Sequence, residues 1–347
     1  MIGLQLTDDA KGRSYLFDNY KALLIFLVVT GHMIDPAYGN TSAIDFVKWY
    51  IFAFHMPAFL FITGFFSKRK KAMGTLIQKF LVPYVIFQTL YYLEYTYVIG
   101  TSPDLALWIP KFSLWYLLSV FVYKAITPYV MKIPYPVAMV ITVALGLVIG
   151  FWPFADNLLS IPRIVYFYPF YLTGVYLNMD TVHKLRRKGG RIVSAIFVIA
   201  FTIFLAFDKW HLTMDDRVLQ GRYGYDFLHQ APLEGMVIRL GCYAVGMALT
   251  FAVMLLIYDK ECKISFLGTK TLSIYLFHGL VYKWIGCNTN ILQSIDTNWE
   301  LLLLLISCAA LTLLLSTWPF DKFTTAISSI SLTKIKNKFK HTTDFSK

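Results

Sequence analysis

Three histidines, His32, His55 and His278, sit inside long apolar runs of this sequence. Ionisable side chains are costly in hydrocarbon and usually face a bundle interior or a wet cavity, so chemistry is sought there first. A neutral imidazole suits the removal of a hydroxyl proton near neutral pH, and low-dielectric surroundings keep it uncharged. A single membrane histidine often does no more than hydrogen-bond a neighbouring helix; three at one depth favour a shared site. Counted along the runs, His32 falls in the last third of the first, His55 near the middle of the second and His278 about twelve residues into the ninth, so the three are expected to meet. Lys21 precedes His32 by eleven residues, three turns and about 16 Å along one helix face. Asp18 precedes Lys21 by three, within pairing reach. Taken alone, Asp18 and Lys21 read as an interfacial ion pair with the lysine snorkelling to water. In one stripe with His32, all three become the expected catalytic group.

These residues need a scaffold, and composition defines its class. Hydrophobic residues make up 57% of the 347-residue chain and charged residues 15%, where an ordinary soluble domain carries roughly 25% charge. Apolar runs recur at about 17–34, 44–66, 75–98, 113–131, 135–151, 162–178, 191–207, 236–257, 266–286 and 299–319, most of them near the ~20 residues that cross a bilayer as helix. The expected fold is all-α, a polytopic membrane bundle of about ten transmembrane helices over residues 17–319. A short segment, 1–16, precedes it and a basic tail, 320–347, follows. Soluble, disordered and disulfide-scaffold classes are excluded. Cys242, Cys262, Cys287 and Cys308 have neither a metal-type spacing nor a disulfide-framework pattern, so no metal is expected. The first run lacks a small-residue cleavage site and reads as a retained span. The net charge of +12 would suggest nucleic acid in a soluble chain. In a membrane chain topology explains it, because Lys and Arg gather in cytoplasmic loops. Alternate loops hold twenty basic residues on one side and five on the other, which places both termini and the Lys68-Arg69-Lys70-Lys71 loop in the cytoplasm.

Four segments carry a resemblance. Phe17-Asp18-Asn19-Tyr20-Lys21 through Thr30-Gly31-His32 resembles the opening of the acyltransferase 3 family of membrane acyltransferases, with a basic residue, ten intervening residues and a histidine. Phe54-His55-Met56-Pro57 through Phe66 looks like the family's second span, especially in its fucose 4-O-acetylase-like branch. Ser113-Leu114-Trp115-Tyr116-Leu117 is similar to its "W-F/Y-L" signature, and Leu267-Gly268 through Ser273, Tyr275 and His278 to a late span. The segments occur in the family's order. Two positions depart from it. Lys21 replaces the usual arginine, which keeps the charge and loses the bidentate fork, and Lys68 to Lys71 replace an Arg-x-x-Arg pair.

The resemblance implies transfer of an acyl group, acetyl first, from cytoplasmic acyl-CoA to a sugar hydroxyl in a cell-surface or secreted polysaccharide or its precursor, at a bacterial inner membrane. Acetyl-CoA is then a donor substrate and no cofactor is held. His32 is the expected base. Lys68, Arg69, Lys70 and Lys71, with Lys21, supply positive charge for the donor phosphates. Trp115, Tyr116 and Tyr275 are candidate donors for the oxyanion, although aromatic packing would explain each of them alone. His55, His278, Glu94, Arg163 and Arg239 complete the expected substrate-binding set. The expected partners are acyl-CoA, a glycan or lipid-linked glycan and the bilayer, with no nucleic acid; a homo-oligomer is left open. A proton-coupled transporter using the histidines as a relay is the alternative, weakened because no two spans share a matching Gly/Pro break. A lipid-linked-sugar glycosyltransferase would need paired acids in the first outer loop, which offers only Asp35.

Overall fold

The computed structural model describes residues 13–101, 104–152, 158–207 and 214–330; Lys11, Lys209 and the tail lysines from Lys334 onward lie outside them. Among the described residues the regular structure is entirely helical. In chain order the α-helices of seven residues or more are α1 (Tyr15–Ile34), α2 (Ser42–Phe65), α3 (Val82–Leu93), α4 (Trp115–Val130), α5 (Tyr135–Val148), α6 (Ile161–Tyr176), α7 (Met179–Leu185), α8 (Lys188–Phe207), α9 (Pro232–Leu256), α10 (Thr271–Asn288), α11 (Asn298–Leu315) and α12 (Trp318–Ser328). Each of the ten apolar runs falls on one of these helices, and α7 and α12 are additional.

Five helices, α1, α2, α8, α9 and α11, are long and apolar enough to cross a membrane. The rest are shorter or locally interrupted. Helix α3 is flanked by π-helical turns at Ile77–Leu81 and Glu94–Val98. Helices α4 and α6 hold Pro128 and Pro169, whose missing N–H breaks the backbone ladder. Helix α10 carries His278 and Lys283 within 18 residues. Apolar side chains such as Val140, Val193, Ile196 and Ile306 are exposed on the outward faces of α5, α8 and α11. So much uncovered apolar surface suits a lipid surround.

Helix α1 runs through the middle of the bundle, with Tyr20, Leu24, Ile25 and Val29 fully buried. It packs on α2, α10 and α11, which brings the three histidine-bearing helices together. Helix α2 lies against α6 at backbone contact. A β-carbon on Gly64 would meet the Tyr171 carbonyl oxygen at 2.0 Å, and one on Gly174 would meet that of Phe61 at 1.9 Å. Small residues permit such close approach of membrane helices. The start of α1 is held by Asn19, whose Nδ2 donates to the carbonyls of Tyr258 and Lys260 at 2.7 and 2.9 Å, while its Oδ1 accepts from Ser265 at 2.5 Å.

Candidate active site

Where α1 ends, the bundle opens into a polar vestibule of about 910 Å³. His32, two residues from the end of α1, lies on its wall, with Trp115 at the start of α4, Arg163 at the start of α6 and Tyr282 and Lys283 on α10. The 3₁₀ turn Asp216–Gln220 forms another wall. It is tied to the bundle by Lys48 of α2, which is buried and whose Nζ lies 2.7 Å from Asp35 and 2.9 Å from Asp216. Beside it Arg217 pairs with Asp215 at 2.5 Å. That hydrogen-bonded pair holds the Asp215 carboxyl below its usual pKa, whereas burial pushes that of Asp216 up.

The histidines meet. The rings of His32 and His278 stack with centroids 5.3 Å apart, and His55 lines a narrow cavity of about 60 Å³ together with His32. His55 Nδ1 is 2.7 Å from the Ile51 carbonyl and His278 Nδ1 is 2.6 Å from that of Tyr275. A carbonyl only accepts, so in both rings Nδ1 carries the proton and Nε2 keeps a lone pair. His278 Nε2 is buried and has no hydrogen-bond partner among the described residues. The His32 ring is half-buried on the walls of both cavities. Of the three, it has the geometry of a base open to a ligand.

The narrow cavity shares His32, Phe52, Trp115, Arg163 and Gln220 with the vestibule. It shares Val28, Met56 and Tyr275 with a third, mainly apolar cavity of about 230 Å³ that reaches Thr63, Phe80 and Thr271. Trp115 packs between the Arg163 guanidinium, 5.1 Å from its ring, and Phe167, whose ring lies at 5.3 Å. Tyr116 lines the apolar cavity, bonded to Thr63 Oγ1 at 2.6 Å, and Tyr275 donates to the Ser113 carbonyl.

The remaining expected residues lie elsewhere. Asp18 and Lys21 pair at 3.0 Å, and Arg13 joins them 2.8 Å from Asp18. This cluster is at the opposite end of α1 from His32, beside Phe66 and close to the Lys68–Lys71 loop. None of these basic residues lines the three cavities. Glu94 and Arg239 do not line them either. Arg239 is buried and donates to the carbonyls of Gly146 and Tyr223 at 2.9 and 2.8 Å, which ties the 221–228 loop to α5.

Several site residues escaped the sequence reading. Lys48 and Lys283 carried a signal, since each is a charge within an apolar run. Phe112 carried none. Its backbone is left-handed (φ +47°), as are those of Leu159 (+50°) and Ser160 (+53°) at the start of α6, at a cost of about 1 kcal/mol or more each. The Phe112 ring lies 4.4 Å from His32 and stacks on Tyr282 at 4.9 Å. Phe112 and Ser160 both line the vestibule.

Fold and site together describe a helical bundle with an imidazole at a cavity junction. Residues 15–319 match the family model described as an acyltransferase domain, so the chain belongs to the acyltransferase 3 family. It is 26% identical over 298 residues to the nodulation protein NolL of Mesorhizobium japonicum, covering 78% of this chain and 77% of that protein. No solved structure matches it.

Proposed function

We propose that this protein is a membrane O-acyltransferase of the fucose 4-O-acetylase-like kind. It moves an acyl group, acetyl first, from acyl-CoA to a sugar hydroxyl of a cell-surface or secreted polysaccharide or its precursor. The observation that carries this reading is the position of His32 on the wall shared by the polar vestibule and the narrow cavity. An acceptor reaches the imidazole from the vestibule, and a thioester arm reaches it through the apolar cavity. His32 takes the hydroxyl proton as the oxygen bonds to the thioester carbonyl carbon. Positive charge from Arg163, which lines both cavities, favours the tetrahedral oxyanion. Collapse breaks the carbon–sulfur bond, and the imidazolium proton passes to the departing thiolate. His55 and His278, each oriented by a backbone carbonyl, present acceptor nitrogens nearby.

The Lys68–Lys71 loop and Lys21 stand at the other end of α1, where the donor phosphates are proposed to bind. We place that end in the cytoplasm on the charge bias of the loops, with all ten apolar helices spanning a bacterial inner membrane and both termini inside. Two single-cysteine variants, Lys70→Cys and Gln220→Cys, check this in intact cells. An impermeant thiol reagent is expected to label position 220 and to spare position 70. Labelling at 70 would invert the topology and remove the donor assignment.

For the activity itself, purified protein incubated with labelled acetyl-CoA and a panel of glycans is expected to yield an alkali-labile ester. A proton-coupled transporter using the same histidines would show substrate-dependent flux and no ester.

A further inference from the structure

Lys124 of α4 lines none of the three cavities, yet it stands at the end of one of them. It is a charge within an apolar run, and such residues usually serve a pathway or a ligand. A lysine that merely snorkels keeps its ammonium in water. This side chain is half-buried, and its Nζ donates to Oγ of the buried Ser67, which in turn donates to the Thr63 carbonyl at 2.5 Å. Its other near neighbours are the Phe80 ring, 5.9 Å from Nζ to the centroid, and two like charges, Lys71 and Lys79. Among the described residues no carboxylate pairs with any of these three lysines. A half-buried ammonium held beside like charges calls for an anion.

The apolar cavity ends there, away from the narrow one. Thr63 and Phe80 line it, and so does Val120, one turn before Lys124 on α4. Met56 lines both the apolar and the narrow cavity and precedes Ser67 by eleven residues, about 16 Å at helical rise. The thioester arm of an acyl-CoA has about 13 bonds from its sulfur to its first phosphorus, equivalent to about four residues of extended chain, or about 15 Å. With its thioester beside His32, the arm fills the apolar cavity and delivers that phosphorus to Lys124. Resting on the acyltransferase reading above, we infer that Lys124, with Ser67, binds the phosphate that adjoins the donor's arm. Lys71 and Lys79 add to the positive field at that point. Lys124 is then a specificity-determining residue, which separates donors whose arm ends in a phosphate from those whose arm ends in a hydroxyl.

The test uses the full chain in uncharged detergent and calorimetric binding at low salt. Pantetheine is compared with 4′-phosphopantetheine, which differs by that one phosphate. The phosphorylated probe is expected to bind about tenfold or more tighter, in line with a charge-assisted hydrogen bond. Lys124→Gln is expected to shrink this gap below about threefold, and Lys124→Arg to restore most of it. Pantetheine itself should bind Lys124→Gln as it binds the wild type, which a merely structural lysine would not allow. Equal binding of the two probes, a gap that Lys124→Gln leaves intact, or a loss of pantetheine binding as well would each overturn the inference. So would a gap abolished by phosphatidylglycerol added to the micelles, because the lysine would then serve a lipid headgroup. Ester formation from acetyl-CoA in the same preparation reports separately on the acyltransferase reading. Ester without the gap sinks this inference alone, and the gap without ester sinks that reading alone.

Discussion

Replacing His32 with alanine is expected to leave a folded protein whose acyl-transfer rate has fallen about 10²–10⁴-fold, the usual cost of losing a general base. The fold should survive because the His32 ring is half-buried and borders two cavities, so its removal enlarges space that already exists. What packing is lost comes from the His278 and Phe112 rings, with aromatic contacts worth about 0.5–1.5 kcal/mol. His55 and His278 differ, since each holds a backbone carbonyl through Nδ1 and their loss should affect structure as well as rate. The check is initial rates with acetyl-CoA and an accepted glycan, alongside thermal melting of the purified variant. Wild-type turnover by a normally melting His32→Ala protein would remove His32 from the mechanism.

Lys48→Met is expected to destabilise the protein by about 3–5 kcal/mol, the range for breaking a buried ion pair from one side. Lys48 and Asp216 are both buried, so the substitution strands a carboxylate away from water. Asp35, with its side chain 41% exposed, can be rehydrated and contributes little to the loss. The damage should centre on the 214–228 loop, which Lys48 ties to α2, and be visible as earlier melting and faster proteolysis there. Adding Asp216→Asn removes the stranded charge and should recover much of the loss. A direction in pH follows. Burial already raises the Asp216 pKa, and without Lys48 it rises further. A carboxyl whose folded pKa exceeds its unfolded value favours folding below the unfolded pKa and loses that advantage as pH climbs through the folded one. The deficit of Lys48→Met should therefore be largest near neutrality and shrink as pH falls into the carboxylate range. Melting of Lys48→Met at the wild-type temperature would show that the loop is held by other contacts.

The sequence by itself determined the helical class, the position of ten apolar helices and three histidines within apolar runs, because each is a matter of local composition and period. Burial of apolar residues has to follow the helix repeat, and an imidazole in an apolar run is conspicuous without any knowledge of its neighbours. The Asp18–Lys21 pair was legible for the same reason, since residues three apart on a helix are neighbours. Tertiary structure decided which residues share a cavity. It left Lys21 out of the cavities that His32 lines and gave Arg239 to two backbone carbonyls. It also turned Phe112 onto His32 through a left-handed backbone and brought Asp35 and Asp216, far apart in the chain, onto one lysine. Those outcomes rest on contacts between distant segments, on helix crossings as close as that of Gly64 with Tyr171, and on backbone strain that only a packed bundle can hold. None of these has a local signature, so the walls of the vestibule became visible only once the helices were in place.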